Sequence, residues 1–231
     1  MSKRDPSRNA ARRRVAQRRA VQWLLLGIVV VTIGVGWRIP WFGFSVPLVM
    51  LVGIIGSFFR GRFVCGNLCP RGAFYDRLVA KVSRSRPVPR WLRSLAFRWG
   101  LVVVLMGFMI YRIALNPADP LHWGRVFWLM CVVTTAIGLP LGVLIHPRSW
   151  CSFCPIGTIQ RAVGGRKNPL RIEAERCRAC ALCEQHCPMG LTIVEHRHRG
   201  TLPHADCLRC SECVAACPAG ALRWPAEQRS V

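Results

Sequence analysis

Acidic side chains are the scarcest commodity in this chain. Against 33 Lys and Arg it carries 10 Asp and Glu, a formal charge of +23 at neutral pH. Spread over a folded surface, such an excess would suit a nucleic-acid partner. It is not spread: residues 1–167 hold 25 of the basic and 3 of the acidic side chains, whereas residues 168–226 hold 7 and 6. The basic part is also the apolar part, where positive charge orients membrane segments and attracts anionic headgroups, so no nucleic-acid partner is expected. A G-x-G-x-x-G fingerprint after a strand-like run is missing, which disfavours a self-contained nicotinamide or flavin dehydrogenase. There is no C-x-x-C-H, so covalent haem attachment is not indicated. A basic N-terminus leads into an apolar run, yet no small-residue A-x-A site follows, and the run reads as an uncleaved first span.

What is present is apolar length. The chain is 231 residues, 52% hydrophobic, with mean hydropathy +0.28. Four runs, at 21–39, 41–59, 95–115 and 126–145, suit a hydrocarbon core of about 30 Å, which takes roughly 20 helical residues to cross. Without water to satisfy open backbone groups, such runs must be helical. Trp23, Trp37, Trp99 and Tyr111 fall near span ends, where amphipathic rings favour the interface, and Arg98 and Arg112 are expected to snorkel outward from the third span. The flanks differ in charge. Residues 1–20 hold eight Lys and Arg and residues 60–94 hold nine, while the opposite loops offer little beyond Arg38 and Arg125. Positive segments stay in the cytoplasm, so both termini are expected there, in a prokaryotic cytoplasmic membrane.

Thirteen cysteines in a chain of this kind point to metal thiolates more than to disulfides. Cys177-x2-Cys180-x2-Cys183-x3-Cys187-Pro188 recurs thirty residues later as Cys207-x2-Cys210-x2-Cys213-x3-Cys217-Pro218, with Gly190 and Gly220 at the same offset. This is the bacterial two-cluster ferredoxin spacing, in which three cysteines of a run hold one cubane and the fourth holds the other. Cys177, Cys180, Cys183 and Cys217 are thus assigned to one [4Fe-4S] cluster, and Cys207, Cys210, Cys213 and Cys187 to a second. Zinc is the alternative for C-x2-C pairs, disfavoured by two matching four-cysteine runs with trailing prolines. Apolar pieces at 170–172, 191–194 and 222–224 are expected to form small strands over the clusters. A unit of about 60 residues has a thin core, so metal ligation would contribute much of its folding free energy.

A second set follows the spans. Cys65-x3-Cys69-Pro70-Arg71-Gly72 comes just after span two, and Cys151-x2-Cys154-Pro155-Ile156-Gly157 just after span four. Each pair ends in Cys-Pro-x-Gly behind a helical hairpin, which suggests an internal duplication. The four thiols could hold a third [4Fe-4S] cluster, serve as a redox-active dithiol or bind another metal, or play a structural part. Arg60, Arg62, Arg71 and Arg148 are expected to lower nearby thiol pKa values. Cys131, alone in span four, reads as a small buried apolar side chain.

Taken together, these motifs resemble the polytopic four-helix iron–sulfur proteins typified by the membrane quinol dehydrogenase subunit of periplasmic nitrate reductase systems and by the methylamine-utilisation ferredoxin-type protein. The resemblance covers most of residues 21–226, although relatives more often carry C-x3-C-P in both membrane motifs. It implies oxidation of membrane quinol and delivery of electrons to partner iron–sulfur or redox subunits, with Cys65, Cys69, Cys151 and Cys154 matching the family's membrane-adjacent motifs. The expected fold class is an α-helical membrane protein of four transmembrane helices with a C-terminal α+β, two-cluster ferredoxin-like domain. Its expected divisions are a basic tail (1–20), a membrane domain (21–167), the ferredoxin-like domain (168–226) and a short tail (227–231). The function expected is electron transfer between the quinone pool and partner proteins, as a subunit rather than a self-contained enzyme. The alternative is a reductase or an assembly factor for a metalloenzyme. Catalytic and quinone-binding residues are not readable from sequence.

Overall fold

The computed structural model describes residues 6–165 and 167–225. The tail at 227–231 and the first five residues of the basic tail lie outside the described residues. Helix α1 (Pro6–Val35) is followed by a 3-10 turn at Pro40–Phe44 and α2 (Ser45–Arg60), then by short helices α3 (Phe63–Asn67) and α4 (Pro70–Arg77). After a loop come α5 (Leu95–Ala114), α6 (Pro120–Leu144), α7 (Ser149–Phe153) and α8 (Pro155–Gly164). The C-terminal unit runs β1 (Arg171–Ile172), α9 (Leu182–Gln185), a 3-10 turn at Val194–Arg199, α10 (Glu212–Ala216) and β2 (Leu222–Arg223), with β1 and β2 antiparallel.

Helices α1, α2, α5 and α6 are long and apolar enough to cross a bilayer. Their outward faces carry exposed large side chains, among them Leu24, Leu48, Phe59, Val103 and Ile110. Trp23, Trp37, Trp99 and Tyr111 are likewise exposed, as interfacial anchors should be. Local chemistry sets the helix starts: Ser94 Oγ accepts from the Phe97 amide at 3.3 Å, and Asp119 Oδ1 accepts from the Leu121 amide at 2.9 Å with Pro120 at the first turn.

The first helix departs from the sequence reading. The basic tail expected at 1–20 is helical from Pro6, continuous with the first span in α1, and Arg18 is buried there against α4 and α10. Charge repulsion within this arginine-rich stretch is offset by carboxylates supplied from distant segments, which sequence patterning does not reveal. Arg98 departs too: it does not snorkel, but lies buried in a bidentate pair with Asp206 at 2.9 and 3.0 Å.

Two similar units make up the helical part. The hairpin α1–α2 leads into α3 and α4, and the hairpin α5–α6 leads into α7 and α8. Each Cys-Pro begins a short helix, with Pro70 and Pro155 at the first turn, where a missing amide hydrogen costs nothing. These short helices pack across the units. Tyr75 of α4 meets Gly138 of α6, and Gln160 of α8 meets Gly53 of α2; a Cβ at either glycine would strike the facing side chain.

In the C-terminal unit, Leu170, Ile172, Leu191, Ile193, Leu202, Leu208, Val214, Leu222 and Trp224 build one core. The 191–194 piece expected as a strand is not one. Leu191 and Ile193 are buried, and the amides of Ile193 and Val194 donate to Glu184 Oε1 at 2.6 and 2.7 Å in place of a ladder partner.

Candidate metal centres

The two cysteine runs fold alike. Ala179 and Ala181 in the first, and Arg209 and Ser211 in the second, all have positive φ between 52° and 61°, at the same thirty-residue offset as the cysteines. Non-glycine residues rarely adopt this conformation, and its repetition marks a loop wound tightly around something. Gly190 and Gly220 take φ of 57° and 62° just past each Cys-Pro.

Cys177, Cys180, Cys183 and Cys217 line one pocket, while Cys187, Cys207, Cys210 and Cys213 line another. The fourth cysteine of each run therefore crosses to the pocket of the other. Ile172, Ile193 and Leu222 wall the first pocket; Met189, Leu208 and Trp224 wall the second. Amides point at sulfur, as thiolate ligands require: the Ala221 N–H donates to Cys217 Sγ at 3.4 Å, and the amides of Arg209 and Glu212 face Cys207 and Cys210. Burial pushes the thiols of Cys183 and Cys207 up to about 11 and that of Cys210 up to about 12. Such thiols lose their protons to a metal rather than to water at neutral pH. Four sulfurs around an apolar pocket, with amide donors, fit a cubane, and Cys183 of one quartet packs on the same core as Cys213 of the other. Cys180 is exposed, at the outer end of the pair.

The membrane-adjacent cysteines also converge. The Cys65 thiol is raised to about 12 by burial first, against the opposing pull of Arg62, with further increments from Cys69, Cys154 and Cys151. The arginine effect expected from sequence is thus present but outweighed by desolvation. Arg60 takes no part: it is exposed and stacks over Phe63 at 5.5 Å. Cys65 and Cys151 pack against the core of the C-terminal unit, and Cys151 and Cys154 against Tyr75, Trp150 and Phe153.

Sequence reasoning named the arginine that precedes each motif by three residues, Arg62 and Arg148, for its charge near the thiols, but missed what its hydrogen bonds do. Arg62 Nη2 donates to the Cys151 carbonyl at 2.7 Å, and Arg148 Nη1 donates to the Cys65 carbonyl at 3.0 Å. Each arginine ties the opposite cysteine loop, and each passes over the glycine of the opposite Cys-Pro-x-Gly. A Cβ on Gly72 would stand 2.7 Å from Arg148 Nη1, and one on Gly157 would stand 2.6 Å from Arg62 Nη2. Both arginines are buried and both are neutralised. Asp76 accepts from Arg148 Nε and Nη2 at 2.7 Å each, from Arg18 at 2.5 Å and from Gln22 at 2.8 Å. Burial alone would raise its pKa, but Arg148 and Arg18 hold it down at about 2.

The second unit has Arg161 where the first has Asp76, four residues after the motif glycine. Its carboxylate comes from the C-terminal unit: Asp206, just before Cys207, pairs with Arg62 at 2.6 Å, with Arg98, and with Arg161 at 3.4 Å. Glu212 reaches Arg18 at 2.8 Å, and Met189 O accepts from Arg93 at 2.7 Å. The C-terminal unit is thereby fastened to the cysteine-bearing end of the four helices at its second cysteine run, through Asp206 and Glu212, and just past its first, at Met189. A signal for this existed in sequence, namely Arg-x-x-Cys in both motifs and the rarity of acids around them.

Beneath the cysteines, between α1, α2, α5 and α6, lies a cavity of about 170 Å³. Its walls include Val29, Val49, Met106 and Phe127, and its upper end is formed by Cys65, Cys69, Arg71, Trp150, Cys154 and Gln160. Cys131 forms part of the wall. Arg71 donates to Thr134 Oγ1 at 2.8 Å and to the Thr134 carbonyl, and stacks on Trp150 at 4.6 Å. His146 stays outside this cavity, with Nδ1 accepting from the Arg148 amide at 3.3 Å.

Comparison with known proteins agrees with the cysteine geometry. Residues 42–89 and again 123–173 match the family described as "4Fe-4S binding domain", and residues 176–222 match the "4Fe-4S dicluster domain". Among curated proteins, the chain is 25% identical over 76% of its length to "Uncharacterized protein MJ0749" of Methanocaldococcus jannaschii, spanning 69% of that protein. It is 26% identical over 74% of its length to "Putative electron transport protein YccM" of Escherichia coli, of which it spans 53%, about half. No solved structure matches. Both parts of the chain thus carry 4Fe-4S binding domains, the C-terminal one of the dicluster ferredoxin type.

Proposed function

We propose that this chain is a bilayer-embedded electron carrier that links a lipid-soluble quinone to a redox partner in the cytoplasm. One observation carries the reading: the cysteine quartets follow one another from the apolar cavity to the surface. Cys65, Cys69 and Cys154 border the cavity; Cys65 and Cys151 pack on the core that holds Cys207, Cys210 and Cys213; Cys183 packs on that same core; and Cys180 is exposed. Cys177, Cys180, Cys183 and Cys217 would hold one [4Fe-4S] cluster, Cys187, Cys207, Cys210 and Cys213 a second, and Cys65, Cys69, Cys151 and Cys154 a third. When bound, such clusters supply one-electron carriers whose potential depends on hydrogen bonds to sulfur and on exposure.

The chain's own residues account for the rest. Arg62 and Arg148 lock the two cysteine loops together, and Asp206 sets the second cysteine run against them. Arg71 has no carboxylate partner among the described residues and stands at the head of the cavity beside Cys69 and Cys154. The arginine-rich first half of α1 and the 60–94 segment lie at the cysteine-bearing end, which supports a cytoplasmic placement for that end. The name borne by the Escherichia coli relative agrees with electron transport.

The test uses anaerobically purified protein in liposomes. Adding a short-tailed ubiquinol or menaquinol should reduce the clusters, seen as bleaching of visible absorbance. Indifference of the absorbance to both quinols, with dithionite still bleaching it, would remove the quinone from this reading.

A further inference from the structure

The cavity has a polar end whose hydrogen-bonding groups are incompletely used. Arg71 spends its terminal nitrogens on Thr134, but its Nε is buried without an acceptor. Gln160 is 1% exposed, and its Oε1 is buried without a donor. The indole nitrogen of Trp150, which carries the Arg71 guanidinium on its ring face, also lacks an acceptor. Native interiors seldom leave such groups unpaired, and three of them around one cavity call for a ligand with complementary atoms. The cavity's volume suits a single ring, since a dry apolar cavity of about 150 Å³ accepts benzene.

We propose that Arg71, Gln160 and Trp150 bind the head of a hydroquinone, with the ring in the cavity and the isoprenoid tail leaving between the apolar helices. This assignment rests on the quinone reading given above and adds its residues and its preference. A ring bearing hydroxyl groups supplies both an acceptor for Arg71 Nε and Trp150 Nε1 and a donor for Gln160 Oε1. The oxidised quinone supplies acceptors alone, which the Gln160 amide meets only by turning its Nε2 toward the ring, so the reduced form, which meets Oε1 as it stands, binds more tightly. Thr134 acts as a positioning residue by fixing the guanidinium plane, and Trp150 by stacking beneath it. Neither the volume nor the apolar wall is needed by the two ferredoxin-type quartets, whose pockets lie elsewhere.

The test measures binding, not turnover. Anaerobically purified full-length protein in detergent is titrated calorimetrically with a short-tailed quinol and with its oxidised form. Three variants, Arg71→Lys, Gln160→Leu and Cys131→Trp, are titrated alongside, each first checked for the wild-type iron content. Arg71→Lys and Gln160→Leu should each weaken quinol binding about tenfold, the value of one hydrogen bond in a dry site. Gln160→Leu should also abolish the preference for the reduced form. Cys131→Trp, which fills the cavity from its wall, should eliminate binding with the iron content unchanged. If one of the two head variants loses iron, the other decides. Should wild type bind quinol while the head variants bind it equally well, this assignment is overturned and the quinone reading stands. Should wild type bind neither form, the quinone reading itself is overturned.

Discussion

Replacing Asp76 by Asn isolates the strongest electrostatic demand in the structure. The substitution preserves shape but removes the charge that faces two arginines whose side chains are 1% and 4% exposed. Arg18 keeps Glu212 at 2.8 Å, whereas Arg148 keeps only carbonyl and thiol contacts and becomes an uncompensated buried cation. Removing one partner of a buried pair costs about 3–5 kcal/mol. The depressed pKa gives a second figure: a fall from 3.8 to about 2 corresponds to about 2.5 kcal/mol of stability. Because the folded-state value lies below the unfolded one, this contribution is complete above about pH 4 and is lost as pH falls through about 2. Asp76→Asn should therefore lose stability across the neutral range. For a chain of this size about 3 kcal/mol lowers the melting temperature by roughly 6–12 °C. The assay is thermal unfolding in detergent under argon, with Arg19→Ala as control. Arg19 is 54% exposed and its pair with Glu212 is 3.3 Å long, so its loss should cost under about 1 kcal/mol. An Asp76→Asn protein that melts with wild type would refute the claim that this carboxylate neutralises the arginine tying the cysteine loops.

Three more perturbations address other parts of the account. Asp206→Asn removes the carboxylate shared by Arg62, Arg98 and Arg161 and should loosen the C-terminal unit, so limited proteolysis should cut the 165–170 junction several-fold faster than in wild type. Gly164→Ala would drive a Cβ into the backbone carbonyl of Ser57 and should cost about 1–3 kcal/mol in thermal unfolding, whereas Gly107→Ala, with open space around it, should be neutral or slightly stabilising. Cys217→Ser should disturb the pocket of Cys177, Cys180 and Cys183 while sparing that of Cys187, leaving roughly four fewer irons per chain by colorimetric assay, whereas Cys131→Ser should leave iron unchanged.

The parts of this structure that sequence revealed are those with short-range signatures. Four apolar runs become four helices because length and hydropathy are local properties, but their ends move: Pro120 opens α6 ahead of the expected 126, and α1 begins at Pro6, well ahead of the expected 21. The exchange of Cys187 and Cys217 between pockets follows from spacing alone. The buried charge network has no such signature. Arg98 pairs with a residue 108 positions away and Arg18 with one 194 away, so each looks, in sequence, like a cation seeking water. The apolar 191–194 piece reads as a strand by composition, but Glu184 captures the amides of Ile193 and Val194. The cavity escapes notice for a related reason: Arg71, Gln160 and Trp150 belong to three segments that meet only when the two units pack across each other.

The central claim is that the four membrane-adjacent cysteines, three of which line the head of the cavity, hold a cluster of their own. Iron and acid-labile sulfide per chain should be measured on anaerobically purified protein, comparing wild type with a variant carrying Ser at 65, 69, 151 and 154. Three cubanes predict about twelve irons in wild type and about eight in the variant. About eight in both would contradict the claim and leave those thiols with dithiol chemistry or a structural part.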